Sequence, residues 1–390
     1  MKTLLIKRYI AITCLVTMIF CAQCKEEYNP KIEGQSSGFL VVEGFISSGP
    51  GPTTIRLSRS SDLKDTVLKP EINAFLDVEG EDGSSFSLFN NGNGEYSLSQ
   101  LTLDNGVRYR LHIRTTDGKE YASDYNPVKY TPPIDSITWQ RENEGVKIYA
   151  NAHDPQNAAK YYQWKYEETW EIHSFYFSTL MFVYGADGKP TGVVYRNPYQ
   201  LYDSTIRKCW NTVPSSTINL GTTEKLASDV VFLPVQYIEP HSEKLSVLYS
   251  INLRQYSISH DEYLFLQKMK KNTEQLGTIF DPQPSEISGN IHCITNPAET
   301  VIGFVEVSEE QVKRLFISNS EIPGWNYDPG CTRIEIANSP RSILQQGNGL
   351  MPTLVAKTDP FGGIASFYAA EPPCVDCTLR GIHQKPDFWP

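Results

Sequence analysis

Cys24 is the residue whose chemistry is easiest to read. It follows an apolar run from Tyr9 to Ala22, which itself follows Lys2, Lys7 and Arg8, and it directly precedes Lys25, Glu26 and Glu27. A basic start, an apolar stretch too short to span a bilayer and a cut before a cysteine form the layout of an export leader. Cleavage over residues 1–23 leaves the Cys24 thiol next to the new N-terminus, where it can accept acyl chains. Each buried methylene contributes about 0.8 kcal/mol, so two or three chains hold a protein on a membrane.

Five more cysteines follow: Cys209, Cys293, Cys331, Cys374 and Cys377. Thiols pair in an oxidising compartment, and an odd number leaves at least one over. Spacing does not fix the connectivity. Cys374 and Cys377 form the sharpest pair. Zinc would need further ligands, from Cys331, from Cys293 with His292, or from His383. A redox role would need the pair behind a strand and opening a helix, whereas Pro372 and Pro373 precede it. Structural disulfides are the expectation; metal, redox and reduced thiols are the alternatives. No metal and no cofactor is expected.

Other reactive types are less ordered. His153-Asp154-Pro155 reads as a turn, because neighbours on a strand point to opposite faces and a His–Asp pair also needs a nucleophile. Glu167 and Glu168 alternate in the same way. Glu79, Glu81 and Asp82 form one acidic group and Asp104 with Asn105 another; solvated turns are expected there rather than Ca²⁺ sites. No G-x-S-x-G, H-E-x-x-H or phosphate-loop pattern occurs.

Losing Lys2, Lys7 and Arg8 with the leader takes the formal net charge from −10 to −13. Such a surface repels nucleic acid, and no nucleic-acid partner is expected. The 22 Tyr, 25 Pro and 26 Gly point to strands and turns, so the fold class is mainly β.

The elements that must hold these residues divide into segments. Residues 24–37 read as a lipidated tether and 38–130 as an immunoglobulin- or fibronectin-like β-sandwich. The expected strands are Phe39–Ile46, Thr53–Ser58, Asn73–Glu79, Ser85–Phe89, Glu95–Leu98, Tyr109–Arg114 and Tyr121–Ser123, many of them separated by Gly-, Asn- and Asp-rich turns. Thr131-Pro132-Pro133 is a stiff joint. Residues 134–390 form a larger β-rich domain with one prominent helix near 260–276, opened by the capping box Ser259-x-x-Glu262 and stopped by Gly277. On Tyr161–Ile172, period two puts Tyr162, Trp164, Tyr166 and Trp170 on one face, either core or an exposed ligand platform. Residues 173–225 read as long hairpins or an insertion, and the last 70 or so as loop-rich.

Three resemblances add expectations. The leader resembles a bacterial type II signal peptide with a relaxed recognition box, Gln23 standing where a small residue is usual. Cys21 is a rival acceptor, but Phe20 before it is bulky; ordinary secretion is the alternative. Lys25-Glu26-Glu27 resembles the tag that sends Bacteroidota lipoproteins to the cell surface. Leu103-x-x-Gly106-x-x-Tyr109 resembles the tyrosine corner of immunoglobulin-like and fibronectin-like sandwiches, with a transthyretin-like sandwich as competitor.

The whole mature chain resembles a Bacteroidota lipoprotein family described as domain of unknown function 4249. The blocks that carry the likeness include Leu40-Val41-Val42-Glu43-Gly44, Tyr166-Glu167-Glu168-Thr169-Trp170-Glu171, Phe280-Asp281-Pro282-Gln283-Pro284, Gly289-Asn290-Ile291-His292-Cys293 and Lys385-Pro386-Asp387-Phe388-Trp389. The family brings no catalytic residues to carry over. Its members are often encoded beside TonB-dependent receptors, which implies a surface-exposed outer-membrane accessory that is not an enzyme. It would be held by its N-terminal lipid and would bind a receptor, an unknown ligand or both. An adhesin or cell-envelope scaffold is the second reading, a hydrolase the third.

Overall fold

The structure is a computed structural model that describes residues 38–60, 69–197, 199, 201–274 and 289–390. The leader, Cys24 and Lys25-Glu26-Glu27 lie outside the described residues. So does the expected end of the helix at Leu276 and Gly277.

The fold is mainly β. Residues that alternate apolar and polar become strands with one buried face. Leu40–Ser48, Thr53–Arg59, Glu95–Leu98 and Phe89–Gly92 form one layer. Phe75–Gly80, Ser85–Ser87, Arg108–Arg114 and Glu120–Ser123 form the facing one. Leu40, Val42, Ile55 and Leu57 meet Leu76, Val78, Leu111 and Ile113 in the first core. Tyr109 is buried, and its hydroxyl accepts a hydrogen bond from the Asp104 backbone N–H at 3.0 Å, as a tyrosine corner requires.

The expected boundary at residue 130 does not divide the cores. Ile291–Cys293 pairs antiparallel with Glu120–Ser123, and Val301–Gly303 runs parallel to Leu40–Val42. Ile291, Cys293, Val301, Val305 and Val307 are members of the first core. The physical reason is the edge of Leu40–Ser48: its unpaired N–H and C=O groups need a covering strand, and the chain supplies one from far along.

The next strand, Val307–Ser318, joins the two halves. Its first residues run parallel to Ile46–Ser48, and most of its length pairs antiparallel with Leu248–Ile258. Leu248–Ile258 pairs in turn with Tyr161–His173, which pairs with Lys208–Pro214 and Asn219–Thr222. Among the described residues, one sheet of 11 strands therefore spans both cores. Tyr162, Trp164, Tyr166 and Trp170 are buried in the second core, against a smaller sheet of Ile134–Glu142, Gly145–Asp154 and Asp229–Ile238. The aromatic face is core, not a platform.

The last 70 residues are more ordered than expected. Arg333–Ala337, Ile364–Ala370 and Met351–Thr358 form a three-stranded sheet, with a short helix over Pro340–Gln346. The sheet encloses a third core with the Leu180–Tyr184 and Pro190–Tyr195 hairpin. Three register shifts interrupt the pairing of Met351–Thr358, so the period-two signal fades there.

Two disulfides tie this end down: Cys209–Cys377 and Cys331–Cys374. The two cysteines of the C-x-x-C pair thus go to different partners. Cys293 is a buried free thiol inside the first core.

Candidate functional site

The helix His260–Glu274 lies over the large sheet where the two halves meet. Its capping box forms by half. The Glu262 N–H donates to the Ser259 Oγ at 3.0 Å, but the Ser259 N–H donates to Glu306 Oε2 at 2.9 Å instead of to Glu262. The Glu262 carboxyl turns inward and is 3% exposed.

Between the helix and the sheet lies a cleft of about 500 Å³. Phe265, Leu266 and Met269 give it an apolar wall, and Gln163 and Lys165 enter it from the polar face of Tyr161–His173. Gly44 is on its floor with φ +129°, and a Cβ there would stand 2.3 Å from the Thr54 carbonyl oxygen. Only glycine takes that conformation and that approach at once.

Lys165 is the distinctive group. Its Nζ stands 5.0 Å from the centre of the Phe45 ring. It has no ion pair and no hydrogen-bond acceptor among the described residues. Burial pulls its pKa below the ordinary lysine value, and the charges of Glu262 and Glu43 offset that only partly. Glu262 is pushed well above the carboxylate range by burial and by the adjacent Glu306. Glu262 Oε2 is enclosed without a partner. The cleft offers an amine, a buried carboxyl group and an apolar wall.

The residues singled out by sequence lie elsewhere. His153 Nδ1 meets Asp135 Oδ2 at 2.7 Å, and Asp154 accepts from the N–H groups of Gln156, Ala158 and Ala159, which is a turn. Glu168 is buried, bonded to Lys244 and Tyr249. Glu79 and Glu81 pair with Arg110 and Arg108. Asp82 accepts from Ser84, and Asp104 from the Gly106 N–H. Among the described residues, no group of His, Cys, Asp and Glu could hold a metal ion, and no helix is long and apolar enough to cross a membrane. Lys165 lies on the face of Tyr161–His173 opposite the aromatics, which the sequence does not single out. The available signal is on that face, where Gln163 and Lys165 sit between aromatic neighbours.

The match to the family model covers residues 25–314. The chain belongs to the DUF4249 family. That family is described as a domain of unknown function. No curated protein matches the sequence. Among solved structures, a two-domain fibronectin type III segment of chicken tenascin is 10% identical with a TM-score of 0.16, over 73% of this chain and 99% of that one. Trypsin-activated α2-macroglobulin from Escherichia coli is 16% identical with a TM-score of 0.19, over 58% of this chain and 15% of that one. A Salmonella α2-macroglobulin mutant is 15% identical with a TM-score of 0.19, over 60% of this chain and 14% of that one. At such overlaps nothing about ligand or partner is transferred from them.

Proposed function

We propose that this chain is a lipid-anchored, surface-exposed outer-membrane component that binds a ligand without transforming it and works beside a TonB-dependent receptor. The Cys24 leader and the Lys25-Glu26-Glu27 tag support the location. The setting common to Bacteroidota members of the family supports the receptor partner.

The observation that carries ligand binding is Lys165, an amine without acceptor in a cleft of about 500 Å³. Ligand sites are mostly apolar with a few placed polar groups, and this cleft has that make-up. Its ligand has an apolar body to lie along Phe265, Leu266 and Met269 and an acceptor group to meet Lys165 Nζ.

The test is a mild-detergent pull-down of the tagged, lipidated protein from its own outer membrane, with Cys24→Ala as the unanchored control. One stoichiometric TonB-dependent receptor with the wild type supports the reading. Recovery of the lipoprotein alone removes the receptor, and recovery of a host or matrix ligand instead makes the chain an adhesin.

A further inference from the structure

A second cavity, of about 350 Å³, lies at the corner closed by the Cys209–Cys377 disulfide. Its walls include His173, Arg207, Trp325, Tyr327 and Arg380. Three of these are placed by local devices. Arg207 follows the Ser204–Ile206 turn, which Asp203 caps, and its carbonyl accepts from the Ser174 N–H at 3.0 Å. Trp325 Nε1 donates to the Ser242 carbonyl at 3.0 Å. Arg380 follows the Cys377–Leu379 turn, so the disulfide holds it beside the strand Lys208–Pro214, which begins directly after Arg207.

The charges here do not balance. Arg380 Nη1 pairs with Glu243, and Nη2 donates to the His173 carbonyl at 3.4 Å, but its Nε is enclosed with no acceptor. Arg207 has no ion pair and no guanidinium hydrogen bond among the described residues. One of its terminal nitrogens, Nη1, is likewise enclosed without an acceptor, and its Cζ lies 4.3 Å from the centre of the Phe177 ring. Several other enclosed charges are paired: Glu168 with Lys244, Glu171 with Lys208, Glu310 with Arg254. A buried donor left unmade costs free energy, and more so when it is charged. Arginine cannot escape the cost by shedding its proton. A chain of net charge −10 thus lines this cavity with two guanidinium groups, of which Arg380 is paired with Glu243.

We propose that this cavity is a binding site for an oxyanion group (a carboxylate, phosphate or sulfate carried on a small polar molecule), received by the Arg207 and Arg380 guanidinium groups. The planar fork of arginine matches such groups with two parallel hydrogen bonds. The cavity is at the small end of the usual ligand range, which suits a molecule of monosaccharide size. The site is separate from the Lys165 cleft and stands or falls without it.

The test uses the full-length chain and isothermal titration with three probes: inorganic phosphate, sulfate and glucuronate, each against chloride at equal ionic strength. The expected result is saturable binding of at least one probe, and which one binds names the source of the oxyanion. Arg207→Gln should weaken that binding at least tenfold, Arg207→Lys less so, and Lys165→Met not at all. The urea midpoint of the ligand-free protein should stay level or rise in Arg207→Gln, because an unpaired charge is removed; an arginine kept for structure would lower it. The proposal is overturned if none of the probes exceeds chloride, or if Arg207→Gln binds as the wild type does. Should Arg207→Gln not fold, equal affinity in Arg207→Lys would overturn it too, since the fork is then irrelevant.

Discussion

The two cavities place a cation in confined space by different means. In the helix cleft the cation is a lysine whose pKa burial pulls down, beside the buried carboxyl of Glu262, whose pKa burial pushes up. In the disulfide corner it is an arginine, which stays charged at any accessible pH. The cleft is walled by apolar residues of one helix, the corner by largely polar residues brought together from five separate stretches of chain. A lysine in a cleft can relax its own penalty, so its ligand need supply only an acceptor. An unpaired arginine cannot, so its ligand must supply negative charge.

The difference can be broken most strongly at the Cys209–Cys377 bridge. Replacing both cysteines by serine should cost about 2–5 kcal/mol of stability, since the bridge closes a long loop. Urea unfolding checks this. The same variant should lose oxyanion binding in the corner, where Arg380 is displaced, while ligand binding in the cleft persists.

Glu171 lies under the corner and bonds to His173, Lys208 and Trp389. Burial pushes its carboxyl up, but those three donors outweigh burial and leave it at about 2. A carboxyl held below its unfolded value stabilises the fold above that value, and the gain is lost as pH falls through the folded one. Stability should therefore drop between about pH 4.5 and 2 in the wild type. In Glu171→Gln that part of the acid slope should vanish, at a cost near neutral pH of about 1.5–3 kcal/mol for hydrogen bonds to a charged group. Urea midpoints across pH measure both.

pH sharpens the contrast further. Burial lowers the pKa of Lys165 in the folded state, so the unfolded chain binds more protons just below the usual lysine value. Stability should then rise with pH through that window, and Lys165→Met should flatten the rise. Affinity for an acceptor in the cleft should fall over the same window as the amine loses charge. Affinity in the corner should not follow that loss.

The smallest expected effect is at the cleft rim. Arg56 and Glu95 pair at 3.1 Å, with side chains 57% and 36% exposed. Such pairs contribute about 0–1 kcal/mol, so Arg56→Ala should barely move the urea midpoint.

Much of the first core could be read from the sequence, because alternation at Leu76 and Val78 or Leu111 and Ile113 has a single burial solution. The Tyr109 corner and the start of the helix are local and were equally plain. The return of residues 291–307 was not legible, since an edge strand advertises a need for a partner without naming it. Disulfide pairing failed to show for the same reason: Cys209 and Cys377 are 168 residues apart. Arg207 gave no signal at all. It follows a turn in an irregular stretch, and its lack of a partner is a property of assembled walls. Lys165 was half legible: its strand was clear, but the chemistry lay on the face opposite the aromatics.

That the helix cleft is a ligand site is tested most directly by native mass spectrometry of the protein purified from the cells that make it, wild type beside Lys165→Met. The account expects a small-molecule mass on the wild type that is lost or strongly reduced in the variant. A wild type found only at its ligand-free mass, or an adduct fully retained in Lys165→Met, would contradict it.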